Sequence, residues 1–202
     1  MIAVVDYGVG NLFSLTCSLK KVGADVVVSG DAEVIKKADK IVLPGVGAFS
    51  DALEKLKERN LFSLIIERAN DGAPLLGICL GMQLLFEKSY EFGEYFGLGL
   101  IKGEICPIKP DLKEDLKIPQ IGWNALKIVK KDAILKDIKD GDCVYFVHSY
   151  YAKNCAESIS STTEYGTEIT ASVSSKNIYG CQFHPEKSGE VGLKILKAFC
   201  EL

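Results

Sequence analysis

The stretch Pro74-Leu75-Leu76-Gly77-Ile78-Cys79-Leu80-Gly81-Met82-Gln83-Leu84-Leu85-Phe86 decides how the rest of the chain is read. A proline opens a short apolar run, the run ends in Gly-x-Cys-x-Gly, and an apolar segment with helical character follows. This is the strand–tight turn–helix order of a nucleophile elbow, with cysteine where serine enzymes place serine. Glycines fit at 77 and 81 because side chains there would collide with neighbouring segments. The turn lifts the Cys79 sulfur to the start of a helix, where free N–H groups favour thiolate over thiol. A buried cysteine between strand and helix fits the same residues, since unpaired Cys is among the most buried residue types. The stretch alone leaves both readings open.

The chain has 202 residues, 48% hydrophobic and 25% charged, with a net charge of −3. These values fit one α/β domain over residues 1–202 with a sizeable core. They give no basic footprint for nucleic acid. No apolar run reaches the roughly 18 residues that a membrane span needs. Met1-Ile2-Ala3-Val4-Val5-Asp6 lacks the basic region and cleavage site of a signal peptide, so a cytoplasmic location is expected. The seven cysteines are widely spaced and include no C-x-x-C, so neither a disulfide framework nor a metal site is expected. A cysteine hydrolase needs a histidine base, and only His148 and His184 exist.

Upstream of the elbow, strands and helices alternate. Ile2 to Val5 reads as a parallel strand buried on both faces, with further strands over 24–28 and 41–43. A short helix is predicted over 31–38, and 53–70 is amphipathic with a break near Asn60. Asp6-Tyr7-Gly8-Val9-Gly10-Asn11 turns the first strand into a helix around Leu12 to Val22. It lacks the third glycine of a dinucleotide fingerprint, because position 13 is Phe13. Such a loop still lies on the functional edge of an open α/β sheet. Pro44-Gly45-Val46-Gly47-Ala48-Phe49 follows the strand just before the elbow strand. It reads as an ordinary strand-to-helix turn before a helix capped by Ser50 or Asp51, or as an oxyanion-hole strand opening on the same edge as the nucleophile.

Downstream, a helix is predicted from Leu80 to about Glu87, with Gln83 one turn past Cys79 on the same side. Ser89 to Gly99 reads as a loop near the site. Short strands then dominate: 100–108, 125–129, 144–147, 159–163 and 169–173. Gln120-Ile121-Gly122-Trp123-Asn124 reads as a surface turn around the only tryptophan, and 133–137 as one helical turn. The expected whole is a central mixed sheet with an antiparallel extension.

The last strand, Ile178 to Phe183, runs into His184-Pro185-Glu186-Lys187-Ser188. Period two puts Gln182, His184 and Glu186 on one side. A carboxylate beside the imidazole fixes its tautomer and stabilises the imidazolium. His148 has no such neighbour, which ranks His184 first as the base. Ser188 is expected to cap a closing helix that packs through Val191, Ile195 and Phe199.

Pro44-Gly45-Val46-Gly47, Gly77 to Gln83, and Gln182-Phe183-His184-Pro185-Glu186 together resemble class I, triad-type glutamine amidotransferases. Asp6 to Asn11, Gly122-Trp123-Asn124, Phe146-Val147-His148-Ser149-Tyr150 and Glu186-Lys187-Ser188 narrow the resemblance to the glutaminase subunits of imidazole glycerol phosphate synthases. It covers essentially the whole chain. It implies a three-layer, Rossmann-like α/β sandwich and hydrolysis of glutamine to glutamate and ammonia without a cofactor. The implied triad is Cys79, His184 and Glu186. The Leu80 N–H and an N–H of the Val46–Gly47 segment would hold the oxyanion. Gly47, Gln83, Glu91, Ser149 and Tyr150 match glutamine-holding positions, with Ser149 standing where threonine is common. The implied partner is a (β/α)8-barrel cyclase subunit, forming a heterodimer and receiving channelled ammonia in histidine biosynthesis; Asn11 and Trp123 match interface positions. The resemblance also implies that the oxyanion strand is misdirected until the partner binds.

Three other readings fit parts of the pattern. One is a paralogous glutaminase feeding another synthase, such as a sugar-modifying amidotransferase; complementation of a strain lacking the histidine-pathway subunit separates it. The second is a stand-alone γ-glutamyl hydrolase, which would cleave γ-glutamyl peptides without a partner. The third is a partner-binding regulator, against which the complete set Cys79, His184 and Glu186 argues.

Overall fold

The computed structural model describes residues 1–202. The first half runs β1 (Ile2–Val5), α1 (Leu12–Lys21), β2 (Val26–Ser29), α2 (Ala32–Lys37), β3 (Lys40–Leu43), α3 (Phe49–Glu58), α4 (Leu61–Asn70), β4 (Leu75–Ile78) and α5 (Leu80–Leu84). The second half runs β5 (Phe86–Ser89), β6 (Tyr95–Phe96), β7 (Ile101–Pro107), β8 (Gln120–Ala125), β9 (Lys127–Ile128), β10 (Cys143–His148), β11 (Tyr150–Lys153), β12 (Ile159–Glu164), β13 (Glu168–Ser175), β14 (Ile178–Cys181) and α6 (Gly189–Cys200).

Strands β2, β1, β3, β4 and β14 lie side by side and parallel, and β13, β12 and β9 continue the sheet antiparallel. Successive side chains of the central strands enter opposite cores. Ala3, Val5, Ile41 and Leu43 face a core shared with α2, α3 and α4. Ile2, Val4, Val42 and Leu76 face a second core shared with α1 and α6. This alternation makes a three-layer α/β sandwich around a mostly parallel sheet. Phe86, Ile101, Ile105 and Ala152, on a four-stranded sheet ordered β11-β7-β5-β6, join the first core. Val144 and Phe146 of the β8–β10 pair join the second.

Two local expectations are corrected. The elbow helix ends at Leu84, not near Glu87. The backbone N–H groups of Leu98, Leu100 and Ile101 take the carbonyls of Leu84 and Leu85, and Phe86 pairs with Ile101 in a strand instead. Gln120 to Asn124 is no surface turn but lies in a strand, paired in register with Phe146, Tyr145 and their neighbours. The ring of Tyr145 gives Trp123 a T-shaped cross-strand partner at 6.1 Å, so pairing overrides turn propensity. Over 133–137 the expected helical turn takes the form of two hydrogen-bonded turns, the Leu135 N–H donating to the Asp132 carbonyl at 3.3 Å and the Ile138 N–H to the Leu135 carbonyl at 3.1 Å. The Asp132 carboxylate accepts the Ile134 and Leu135 N–H groups at 3.0 Å each and folds the chain back there.

Candidate active site

The parallel strands β1, β3, β4 and β14 end on one edge of the sheet, where their following loops meet. Cys79 closes β4 in a sharp turn, with φ 54° and ψ −113°, a conformation that L side chains rarely adopt. The surroundings enforce the turn. A Cβ on Gly81 would stand 1.8 Å from the Leu43 carbonyl oxygen, and one on Gly77 2.7 Å from the Gly81 oxygen. The elbow is therefore pressed against the end of β3, which leads directly into Pro44–Gly47.

His184 follows β14, the strand hydrogen-bonded beside β4. Its Nδ1 lies 2.8 Å from Glu186 Oε1, and both side chains are only 3% exposed. The sequence placed this pair by strand alternation, but β14 stops at Cys181 and Glu186 sits in a 3-10 turn over Pro185–Lys187. The turn brings the carboxylate back under the imidazole. Ser188 is the N-cap residue of α6, as expected, although its hydroxyl makes no capping bond. It donates to the His184 carbonyl at 2.6 Å and accepts the Tyr145 N–H at 3.0 Å, which fixes the backbone of the histidine.

Burial opposes the charged form of His184. Hydrogen bonding and charge from Cys79 and Glu186 outweigh it and push the imidazole up to about 9. The Cys79 sulfur acts on this ionisation from close by, while His184 Nε2 closes no ordinary hydrogen bond.

His148 behaves differently. Its Nδ1 lies 2.8 Å from the Tyr150 carbonyl oxygen, which only accepts, so Nδ1 carries the proton. Burial, despite that bond and with the His184 charge adding, lowers it to about 4. At neutral pH it is an uncharged imidazole committed to the backbone.

A cavity of about 330 Å³ opens at this edge. Cys79, Leu80, His184, Val46, Gly47, Gln83, Glu91, Ser149 and Tyr150 all line it, together with Phe92, Pro119, Val147 and His148. Glu186 stands behind His184. No hydrogen bond engages the N–H of Val46, Gly47 or Leu80. Gly47 takes φ +97°, a conformation that L side chains rarely adopt, and no atom lies within 4 Å of where its Cβ would be. Gln83 is almost fully buried and donates Nε2 to both the Tyr150 carbonyl (3.1 Å) and Gln182 Oε1 (3.0 Å), so its own Oε1 is the atom left for a ligand. Glu91 Oε2 accepts the Phe49 N–H at 2.6 Å at the start of α3. Burial raises its carboxyl above the usual range, against that hydrogen bond and with the Asp51 charge adding.

Asn11 caps α1, accepting the Ser14 N–H at 3.4 Å, and Trp123 is 55% exposed on β8. Sequence reasoning missed two polar residues. Gln182, fully buried, donates Nε2 to the Cys79 sulfur at 3.8 Å. Tyr7, also fully buried, donates its hydroxyl to the Pro44 carbonyl at 2.7 Å. The signal for Gln182 was its place on the His184 face of the last strand; Tyr7 had none beyond its loop. No group of three or more His, Cys, Asp or Glu is arranged to hold a metal. All seven cysteines are unpaired.

The family profile described as "Glutamine amidotransferase class-I" matches residues 3–201. The chain is 51% identical over 201 residues to "Imidazole glycerol phosphate synthase subunit HisH" of Lactococcus lactis subsp. lactis (strain IL1403), covering 99% of this chain and 98% of that one. It is 52% identical over 198 residues to the protein of the same name from Aquifex aeolicus (strain VF5), covering 97% and 94%. Two solved structures share the fold at low identity. "Crystal structure of glutamine amidotransferase" has a TM-score of 0.77 at 14% identity, covering all of both chains. "Structure of PurLQS from Thermotoga maritima" has a TM-score of 0.74 at 20% identity, covering 99% and 97%. With an elbow cysteine, a buried histidine–carboxylate pair and a profile match spanning nearly every residue, the chain belongs to the class-I glutamine amidotransferase family.

Proposed function

We propose that the chain is the glutaminase subunit of an imidazole glycerol phosphate synthase, serving histidine biosynthesis. The observation that carries its chemistry is the meeting, on two adjacent parallel strands, of the Cys79 elbow with the buried His184–Glu186 pair. Full-length relatives at about half identity support the assignment to that synthase.

Cys79 attacks the side-chain amide carbon of glutamine as a thiolate. The C=O electrons move onto oxygen, held by the Leu80 N–H and an N–H of Val46 or Gly47. The imidazolium of His184, oriented by Glu186, protonates the amide nitrogen, and the C–N bond breaks to release ammonia and a glutamyl thioester. Neutral His184 then takes a proton from water, whose oxygen attacks the thioester. The thiolate leaves, and glutamine plus water has become glutamate plus ammonia. Losing one oxyanion donor from such a site costs about 2.7–4 kcal/mol of barrier. Gly47, Gln83, Glu91, Ser149 and Tyr150 hold the substrate, with Gln83 Oε1 and the Glu91 carboxylate suited to its ammonium group.

The ammonia passes to a (β/α)8-barrel cyclase subunit docked as a heterodimer over Asn11 and Trp123. That unit forms imidazole glycerol phosphate and AICAR. The chain works as one domain over 1–202 and in the cytoplasm; none of its helices is long and apolar enough to cross a membrane. The test is ammonia release by the purified chain, with and without a cyclase and its nucleotide ligand. Release that is low alone, rises with the cyclase and vanishes in Cys79→Ala is expected. Undiminished release by Cys79→Ala sinks the mechanism, and equal release with and without the cyclase sinks the dependence on it.

A further inference from the structure

The Tyr7 side chain lies where three functional segments meet. Its hydroxyl donates to the Pro44 carbonyl at 2.7 Å from a fully buried position. A Cβ on Gly45 would stand 2.9 Å from that hydroxyl, 2.9 Å from the Leu80 Cβ and 2.8 Å from the Gly81 nitrogen. The first residues of the Pro44–Gly47 segment are thus wedged between Tyr7 and the nucleophile elbow. The loop that carries Tyr7 also touches Pro44 elsewhere: a Cβ on Gly10 would lie 3.2 Å from the proline Cβ. The next residue is Asn11. Beyond this grip, Val46 is 43% exposed and its N–H is unbonded. The segment is clamped at its base and free at its tip.

We propose that Tyr7 is a positioning residue for glutamine hydrolysis, its hydroxyl bond to the Pro44 carbonyl setting the direction in which the Val46–Gly47 N–H groups point. This rests on the glutaminase reading of the site. A carbonyl fixed at 44 limits rotation of the two peptides that follow, and Gly45 and Gly47 supply no side chain to limit it otherwise. Burial pushes the Tyr7 phenol above its ordinary range, with the Cys79 charge adding, so the hydroxyl remains a donor at neutral pH. The Asp6–Asn11 loop is thereby in direct mechanical contact with the oxyanion segment. A load on Asn11 reaches Pro44 through one residue.

The test uses the chain with its cyclase partner and two probes, glutamine and iodoacetamide. Tyr7→Phe keeps the ring and deletes the donor. It is expected to lower kcat about tenfold, less than outright loss of an oxyanion donor, with KM within twofold. Alkylation of Cys79 by iodoacetamide, which forms no oxyanion, is expected to stay within twofold of the unmodified chain. A merely structural tyrosine would lower the melting temperature and leave kcat alone, and that result overturns the proposal. So does an alkylation rate that falls in step with kcat, which marks a displaced elbow. Gly10→Ala, on the half-buried loop, gives a second handle that decides the matter if Tyr7→Phe does not fold. Its methyl presses on Pro44 and is expected to lower kcat at constant KM; wild-type kcat there refutes the coupling. A wild-type complex that releases no ammonia overturns the glutaminase reading and this inference with it. Active wild type with variants that match it overturns this inference alone.

Discussion

Gln182 hands an amide N–H to the Cys79 sulfur across 3.8 Å, from just past the end of β14 and 103 residues away in sequence. Its orientation is set from behind. Gln83 Nε2 donates to the Tyr150 carbonyl, which can only accept, and also to Gln182 Oε1. The amide of Gln182 therefore turns its nitrogen to the Cys79 sulfur. Gln182→Met keeps the volume and removes the donor. One hydrogen bond of this kind contributes about 0.5–1.5 kcal/mol. We expect kcat/KM for glutamine to fall about tenfold and Cys79 alkylation to slow with it. Unchanged alkylation would show that the amide only fills space.

The backbone of Cys79 costs stability. At φ 54° and ψ −113° any residue with a Cβ is strained, by about 1–3 kcal/mol. Cys79→Gly is thus expected to be more stable than Cys79→Ala, the reverse of the usual order. Urea denaturation of both variants measures the difference; equal or inverted midpoints would refute a strained elbow.

Gly81 tests the packing that imposes this strain. The Leu43 oxygen stands 1.8 Å from where a Cβ would be, and it belongs to the backbone. Gly81→Ala has to separate β3 from the elbow. We expect a loss of more than about 3 kcal/mol, or an insoluble chain. A melting temperature within two or so degrees of wild type is incompatible with the contact.

The two histidines shape stability against pH in opposite directions. His148 is held neutral, down to about 4 from an unfolded value near 6.5, so unfolding takes up its proton and stability falls as pH drops through that window. His184 is raised to about 9, so its contribution is complete below 6.5 and is lost as pH rises toward 9. Each limb spans on the order of 3 kcal/mol, and the two together put a maximum near pH 6.5. In His148→Gln the acid limb is expected to flatten, and in His184→Gln the alkaline limb. Parallel curves for wild type and variants, followed by denaturant midpoint from pH 4 to 10, are the contrary result.

The elbow, the alternation of strands and helices up to it, and the His-Pro-Glu terminus could be read from the chain because each is local. Gly-x-Cys-x-Gly announces its own turn, and Asn60, between α3 and α4 at φ 57°, sits where the helical pattern breaks. What escaped was set by distant partners. Leu84-Leu85-Phe86 continues an apolar helix pattern, and only the returning segment at 98–101, which captures its carbonyls, stops the helix. Gly122 and Asn124 look like turn residues until β10 pairs with them. Tyr150–Lys153, a short strand with no alternation of its own, exists because β7 offers an edge. The polar contacts of Tyr7 and Gln182 span 37 and 103 residues, beyond any motif.

That β4 pairs with β14, Leu75 opposite Ile178 and Ile78 opposite Cys181, orders events in time as well as space. Cys79, the proposed nucleophile, and His184, its proposed base, belong to segments that meet only when a loop of about a hundred residues has closed, the slow kind of contact in folding. Until then Cys79 lies apart from His184, the base proposed for it. On the proposed mechanism, a partly folded chain is silent toward glutamine, however complete its first four strands. In refolding from urea, ammonia-releasing activity should return with the slowest structural phase and never ahead of it.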